Sequence, residues 1–262
     1  MVDQARSAIQ SFHGGAIEVK KVIVVTGGGQ GIGLAICNKL ASDKSSAIAI
    51  IEKTNLGHKV AAQLQKRGIA AISVQADVSK EKEVKSAQEE ISNFGVVKSV
   101  VNNAGIFPRQ SALEIDYQRW LECIEVNLGG TFLVSRAFAP QMLESGEGTI
   151  VNITSGRAVG GAPLGSHYAS SKGGIISLTR SLALEWAPLI RVNAVMPGVT
   201  DTAQPREAGI SDEELYNRGS KIPLGRIGDP ADIANMVSFL ISPEAKYITG
   251  QTFAVNGGAI MR

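Results

Sequence analysis

Tyr168 and Lys172 stand four residues apart at the start of a segment whose apolar spacing predicts a helix. Residues at i and i+4 share one helix face, a turn apart, so the Lys172 ammonium is expected beside the Tyr168 phenol. A neighbouring cation favours phenolate and lowers a phenol pKa from about 10 toward neutrality. Such a phenol can give a proton to a carbonyl oxygen or take one from an alcohol. Chance produces this pair often, so its weight depends on what else in the chain lines up with it.

A second group with chemical meaning is Thr26-Gly27-Gly28-Gly29-Gln30-Gly31-Ile32-Gly33. It follows an apolar β-branched run and opens a helical pattern. Glycines there let the backbone turn sharply and approach a pyrophosphate, whose charge the helix N-terminus stabilises. A tight strand-to-helix turn without a ligand also selects glycine. Glu52 comes directly after a second apolar run, Ala47–Ile51, and nineteen residues beyond Gly33. A carboxylate at that position can accept hydrogen bonds from ribose hydroxyls; the plainer reading is a solvated strand-end charge.

These residues need a scaffold, and the pattern supplies one. Short apolar runs read as buried strands at Lys21–Thr26, Ala47–Ile51, Ala71–Val74, Ser99–Asn102, Gly148–Thr154, Ile190–Met196 and Gln251–Val255. Helical spacing fills the gaps at Ile32–Ser42, Leu56–Gly68, Lys80–Phe94, Tyr117–Leu143, Tyr168–Trp186 and Asp229–Ile241. Continuously apolar strands alternating with helices predict an α/β fold: one doubly wound, Rossmann-type, parallel seven-stranded sheet with helices on both faces. No linker or repeat divides it. Residues 1–18 are expected to form a tail and residues 19–262 one domain, with a polar, irregular stretch at about 199–222 acting as a substrate lid.

The bulk numbers exclude several classes. The 262 residues carry 26 basic and 24 acidic side chains with no block of like charge, so neither nucleic acid nor an anionic membrane is expected as a partner. The first nineteen residues hold no signal-peptide core, and no run of eighteen apolar residues occurs. Cys37 and Cys123 lack a CxxC partner and read as small buried thiols, so no metal site is expected. A reducing, cytoplasmic location fits.

The glycine spacing 27, 31, 33 resembles the TGxxxGxG variant of the short-chain dehydrogenase/reductase family, and further motifs agree in order along residues 20 to 262. Asn102-Asn103-Ala104-Gly105 is similar to the family's NNAG, and Asn127 in EVNLGG to its helix asparagine. Ser155 ends INITS thirteen residues before Tyr168-Ala169-Ser170-Ser171-Lys172, which resembles YxxSK. Pro197-Gly198 followed by Thr202 resembles PGxxxT, and Asn256-Gly257-Gly258 is a similar ending. The resemblance implies that Tyr168 is the general acid/base and that Lys172 lowers its pKa and binds the nicotinamide ribose. It also implies that Ser155 orients the substrate oxygen and that Asn127 holds a relay water. Cofactor contacts are implied for Gly27, Gln30, Gly31, Ile32, Gly33 and Glu52, for Asp77 and Val78, and for Asn103, Ala104 and Gly105. Tyr168, Lys172, Pro197, Gly198, Val199 and Thr202 complete that set. Each has a plainer reading: Ser155 as a cap, Asn127 bonded to its own backbone, Lys172 solvated, Asp77 as a turn or N-cap residue. The family pattern is left at three places. The loop Ala41–Ser46 is one residue longer, the stretch Ala187–Arg191 one shorter, and Asn256 stands where many members carry aspartate.

The expected activity is interconversion of a secondary alcohol and a ketone by hydride transfer, with NAD as cofactor, NADP less favoured, and a homotetrameric assembly. One alternative is an NADPH-dependent 3-oxoacyl-acyl-carrier-protein reductase, which should show basic residues at the substrate mouth; Gln30 and Glu52 argue against its cofactor. Another is a catalytically silent nucleotide-binding member. The substrate walls are expected from Gly156–His167, Ile106–Leu113 and Val199–Lys221. Arg109, Arg157, His167 and Arg206 can either meet an acidic substrate or be solvated.

Overall fold

A computed structural model describes residues 20–43 and 45–261; the expected tail, residues 1–18, lies outside them. Seven strands form one all-parallel sheet: β1 Lys21–Thr26, β2 Ser46–Glu52, β3 Ala71–Gln75, β4 Val96–Asn102, β5 Gly148–Ile153, β6 Ile190–Pro197 and β7 Thr252–Val255. Their spatial order is β3-β2-β1-β4-β5-β6-β7. The order reverses direction between β1 and β4, and a crevice at the strands' carboxyl ends opens at such a switch point.

The helices are α1 Gly31–Leu40, α2 Leu56–Lys66, α3 Glu81–Phe94, α4 Tyr117–Ile124, α5 Gly130–Glu144, α6 Arg157–Gly160, α7 Ser166–Trp186, α8 Ala203–Glu207, α9 Asp212–Gly219 and α10 Pro230–Ile241. Successive strand residues face opposite sides, which splits the core in two. Val22 and Val24 join Ile91, Phe138 and Met142 on one face of the sheet. Ile23 and Val25 join Ile36, Leu64 and Val237 on the other. Each large aliphatic or aromatic side chain so buried contributes about 1.5–3 kcal/mol. Covered on both faces, the strands read as unbroken apolar runs.

Three expectations change in detail. The segment read as one helix over Tyr117–Leu143 is α4, a π-helical turn at Glu125–Gly129, and α5. Gly129 and Gly130 weaken the helix there, and Gly130 lies so close to Val78 that a Cβ would fall 2.6 Å from Val78 Cγ2. The strand β4 begins at Val96 instead of Ser99, where the Val96 N–H bonds Lys20 O at 3.0 Å. The stretch 199–222 holds two short helices; α9 is capped by Ser211, with Asp212, Glu213 and Glu214 in its first turn and Arg218 in its last, an arrangement that suits the helix dipole. No helix among the described residues is long and apolar enough to cross a membrane.

Candidate active site

The glycine loop carries the chain from β1 into α1 in a conformation that side chains resist. Gly31 has φ +53°, and a Cβ on Gly33 would fall 2.0 Å from Gly27 O. The Asn103 amide locks the turn by donating to Thr26 O at 3.1 Å and Gly27 O at 3.0 Å. Thr26 Oγ1 accepts from the N–H groups of Asn103 and Ala104, both at 3.0 Å. Glycine cradle and NNAG segment thus form one unit at the switch point.

From this loop a cleft of about 1050 Å³ runs across the strand ends to the stretch 199–222. Gly27, Gln30, Gly31, Ile32, Glu52, Asp77, Val78, Asn103, Ala104, Gly105, Tyr168, Lys172, Pro197, Gly198, Val199 and Thr202 all line it. Gly33 does not; it packs behind the loop. The cradle that a Cβ would fill, together with a carboxylate at the end of β2, fits a dinucleotide. Glu52 Oε2 accepts from Gly29 N–H at 3.1 Å, and Oε1 from Thr54 at 3.3 Å, so this carboxylate is fixed against the loop and is not a loose strand end. Asp77 combines both of its readings. It accepts from Ser79 N–H and Oγ in a local turn and also lines the cleft. Lys53 sits 2.8 Å from it, and that ammonium with the Ser79 bonds holds the Asp77 carboxyl down at about 2, against the opposing effect of burial.

Tyr168, Lys172 and Ser155, the expected reacting group, line the same cleft. Tyr168 and Lys172 project from the start of α7, 8% and 4% exposed. Phe107 packs its ring 4.6 Å from that of Tyr168. Lys172 Nζ donates to Ile153 O at 2.9 Å, and Thr154 Oγ1 returns a bond to Lys172 O at 2.7 Å, which clamps α7 onto the end of β5. Ser155, just past β5, accepts from Arg157 N–H at 3.2 Å.

Asn127 is fully buried in the π turn. Its amide donates to Ile106 O and Ser171 Oγ, both at 3.0 Å, and its Oδ1 accepts from Ile106 N–H at 2.8 Å. Its main-chain carbonyl accepts from Thr131 Oγ1 at 2.7 Å. Asn127 and Lys172 meet only across Gly105, where a Cβ would fall 2.9 Å from Asn127 Oδ1 and 3.4 Å from Lys172 Nζ.

One electrostatic expectation is corrected. Burial raises the Tyr168 phenol above its usual value, and the neighbouring Ser155 hydroxyl offsets only part of that. The same burial drives Lys172 itself down to about 8, and its ammonium lies 5.9 Å from the Tyr168 ring centre. Seclusion from water outweighs the pairing that the i, i+4 spacing suggested.

The residues considered for an acidic substrate separate. Arg206 is bound between Asp201 and Asp212, both at 2.7 Å. Arg109 donates to Ala208 O at 3.2 Å. His167 turns inward at 1% exposure, and burial lowers its pKa. Arg157 alone of the four lines the cleft, joined by Arg218 and Lys221; both fall in the wall expected at Val199–Lys221, though the sequence does not single them out. Their i, i+3 spacing was the available signal. No cluster of three or more His, Cys, Asp or Glu among the described residues can hold a metal ion.

A family model described as enoyl-(acyl carrier protein) reductase matches residues 27–259. The chain belongs to the short-chain dehydrogenase/reductase family. Among its relatives, a 3-oxoacyl-[acyl-carrier-protein] reductase of Staphylococcus epidermidis is 38% identical over 248 residues, 93% of this chain and 100% of that protein. A 2-(S)-hydroxypropyl-CoM dehydrogenase of Xanthobacter autotrophicus is 39% identical, covering 91% of this chain and 96% of that protein. Two solved structures are also similar. One, described as an NAD(P)-dependent gluconate 5-dehydrogenase from Beutenbergia cavernae with bound NADP, has a TM-score of 0.87 and 36% identity over 92% of this chain and 96% of that one. The other, a 3-ketoacyl-(acyl-carrier-protein) reductase from Brucella melitensis complexed with NADH, has a TM-score of 0.84 and 34% identity over 91% and 97%. The fold and the oxidoreductase family are therefore those the sequence motifs implied.

Proposed function

We propose that the chain reduces the keto group of a 3-oxoacyl thioester to a hydroxyl, reversibly, with a nicotinamide dinucleotide. The observation that carries the chemistry is the joining of Ser155, Tyr168 and Lys172 with the glycine loop in one cleft. Relatives that reduce 3-oxoacyl chains, similar over their full length, favour this substrate over an unspecified secondary alcohol. The basic lining at Arg157, Arg218 and Lys221 is the feature expected of that alternative at the substrate mouth.

In this reading the glycine loop and the N-terminus of α1 hold the pyrophosphate. Glu52, Asp77 and Val78 flank the adenosine end, and Pro197, Gly198, Val199 and Thr202 the nicotinamide end. The bound nicotinamide supplies or accepts the hydride. Tyr168 gives the proton to the carbonyl oxygen in reduction and takes it back in oxidation. Ser155, whose oxygen accepts from the Arg157 N–H, can turn its own hydrogen from the Tyr168 phenol to the same carbonyl oxygen. Lys172, held by Ile153 O, binds the nicotinamide ribose and keeps a proton within reach of Tyr168. Phe107 covers the phenol and limits water. Asn127 positions Ile106 and Ser171 around this centre and, facing Lys172 across Gly105, marks the path of proton resupply. Exposed apolar side chains at Leu184 on α7 and Tyr247 before β7 support the homotetrameric assembly, which light scattering tests.

The second reading, an NAD-linked dehydrogenase of a simple secondary alcohol, is favoured by Glu52, which suits the ribose hydroxyls of NAD, and by Gln30, which puts no cation in the glycine loop. Steady-state assays of 3-oxobutanoyl-CoA against a plain ketone such as cyclohexanone, each with NADH and NADPH, decide between the two. The proposal expects kcat/KM at least about 10-fold higher for the thioester; equal or lower values would favour the second reading.

A further inference from the structure

Arg157 stands two residues after Ser155, and its main-chain N–H bonds the Ser155 hydroxyl. Its guanidinium is half-buried in the wall of the cleft. Burial is the main influence on it, followed by the positive charge of Arg218; the Tyr168 phenol opposes them, and Arg109 adds a smaller repulsion. A partly buried cation facing other cations is costly unless an anion joins them. Among the described residues no carboxylate pairs with Arg157; its side-chain bond is a long one, 3.4 Å, to Gly161 O. Arg218 comes from α9 in the opposite wall and bonds Glu214 at 2.5 Å, and Lys221 follows one turn later along the same wall. Three acidic residues line the cleft: Glu52 and Asp77 stand at the glycine-loop end, and Glu122 is paired with Arg119 at 2.9 Å.

We propose that Arg157, Arg218 and Lys221 form a subsite for an anionic oxygen group carried by the substrate, in the same cleft as Ser155 and Tyr168, which engage its carbonyl. A guanidinium fork matches a carboxylate, sulfonate or phosphate through paired N–H···O bonds, and Lys221 adds a point charge. The subsite selects charged keto substrates over neutral ones of the same shape. Because Arg218 and Lys221 ride on the 199–222 stretch while Arg157 sits on the β5–α7 connection, the anion ties the two walls together. The proposal rests on the hydride-transfer reading of the cleft. It holds whether the anion belongs to a small keto acid or to the phosphate end of a long thioester.

Two matched pairs separate these sources: 3-oxobutanoate against its methyl ester, and the 3-oxobutanoyl thioester of 4′-phosphopantetheine against that of pantetheine. For each pair the ratio of kcat/KM, charged over neutral, is measured on the native enzyme and on Arg157→Gln, Lys221→Gln and Arg157→Lys. The ratio is internal to each variant, so a general loss of activity cancels. At least one pair should favour the charged member about 10- to 100-fold, as charge-assisted hydrogen bonds do. Arg157→Gln should bring that ratio to within about 3-fold of unity, Lys221→Gln should lower it less, and Arg157→Lys should restore part of it. A preference in the first pair identifies a small keto acid; one in the second alone, a phosphate-bearing thioester. Ratios near unity in both pairs, or a preference that survives Arg157→Gln, would overturn the subsite. If none of the four compounds turns over, the 3-oxoacyl reading of the substrate fails. The dissociation constants of the same compounds for the enzyme–NAD+ complex then decide the subsite by the same ratios.

Discussion

Lys53 holds its ammonium 2.8 Å from the carboxylate of Asp77, beside Glu52 at the adenosine end of the cleft. Lys53 is already engaged by that ion pair, and Glu52 would face a 2′-phosphate as a like charge. Two unit charges 4 Å apart repel by about 4 kcal/mol at an effective dielectric of 20, less where water and salt enter. Gln30 supplies no cation from the glycine loop. The pocket therefore predicts a preference for NAD over NADP of about 10- to 150-fold in kcat/KM, or roughly 1.5–3 kcal/mol. Glu52→Ala should narrow the gap mainly by improving NADP. Steady-state kinetics with both cofactors check this; equal or better use of NADP by the native enzyme contradicts it.

Lys172 links catalysis to stability through pH. Its pKa falls from 10.5 to about 8 on burial, so below pH 8 the folded protein bears the full cost of a secluded ammonium. As pH rises from 8 to 10.5 the folded form sheds its proton before the unfolded form does, and folding gains stability. Replacing Lys172 with Met removes the cost, up to about 3 kcal/mol, and leaves Ile153 O without its partner, a loss of about 1 kcal/mol. Lys172→Met should thus be inactive yet about 1–2 kcal/mol more stable than the native protein at pH 7. That advantage should shrink by pH 10. Urea denaturation at both pH values is the check, and a difference that does not change with pH contradicts the assignment.

Gly33 tests the cradle. A Cβ there meets Gly27 O at 2.0 Å and Asn103 Nδ2 at 2.6 Å, neither able to move without opening the loop. Gly33→Ala should weaken cofactor binding by at least ~10-fold, equivalent to 1.4 kcal/mol, by titration calorimetry. An unchanged Kd would show that the loop does not hold the dinucleotide.

Arg206 joins Asp201, Asp212 and Thr202 O, so it ties α8 to α9 and to the end of the PGxxxT segment. Thr202 in turn lies against the glycine loop, 3.2 Å from where a Gly31 Cβ would stand. Cofactor at that junction should slow amide hydrogen exchange across residues 203–221, and Arg206→Ala should reduce that protection while raising KM. Exchange that saturating cofactor and substrate leave unchanged would contradict a closing lid.

Much of this was legible in the sequence because the signals are local. An apolar strand, a glycine turn and a helix in series specify the cradle, and Tyr168 with Lys172 needs only one helix face. What escaped reading depends on contacts distant in the chain. The π turn around Asn127 reflects Gly130 pressed against Val78. The burial of Lys172 against Ile153 O, which reverses the expected electrostatics, depends on how α7 docks on β5. The stretch 199–222 is legible as a wall of the cleft, but that Arg218 and Lys221 are the side chains entering it depends on how the stretch docks, which Arg109 donating to Ala208 O helps to fix. No periodicity in that stretch announces its docking.

The central claim is that Tyr168 transfers a proton at a carbonyl bound in this cleft. Its most direct test is the oxidation of NADH by 3-oxobutanoyl-CoA, comparing the native enzyme with Tyr168→Phe and measuring NADH binding to both. Only one hydroxyl is lost, so folding and cofactor affinity should survive while kcat falls at least ~100-fold. Turnover by Tyr168→Phe within a few-fold of native would remove Tyr168 from the chemistry and contradict the account.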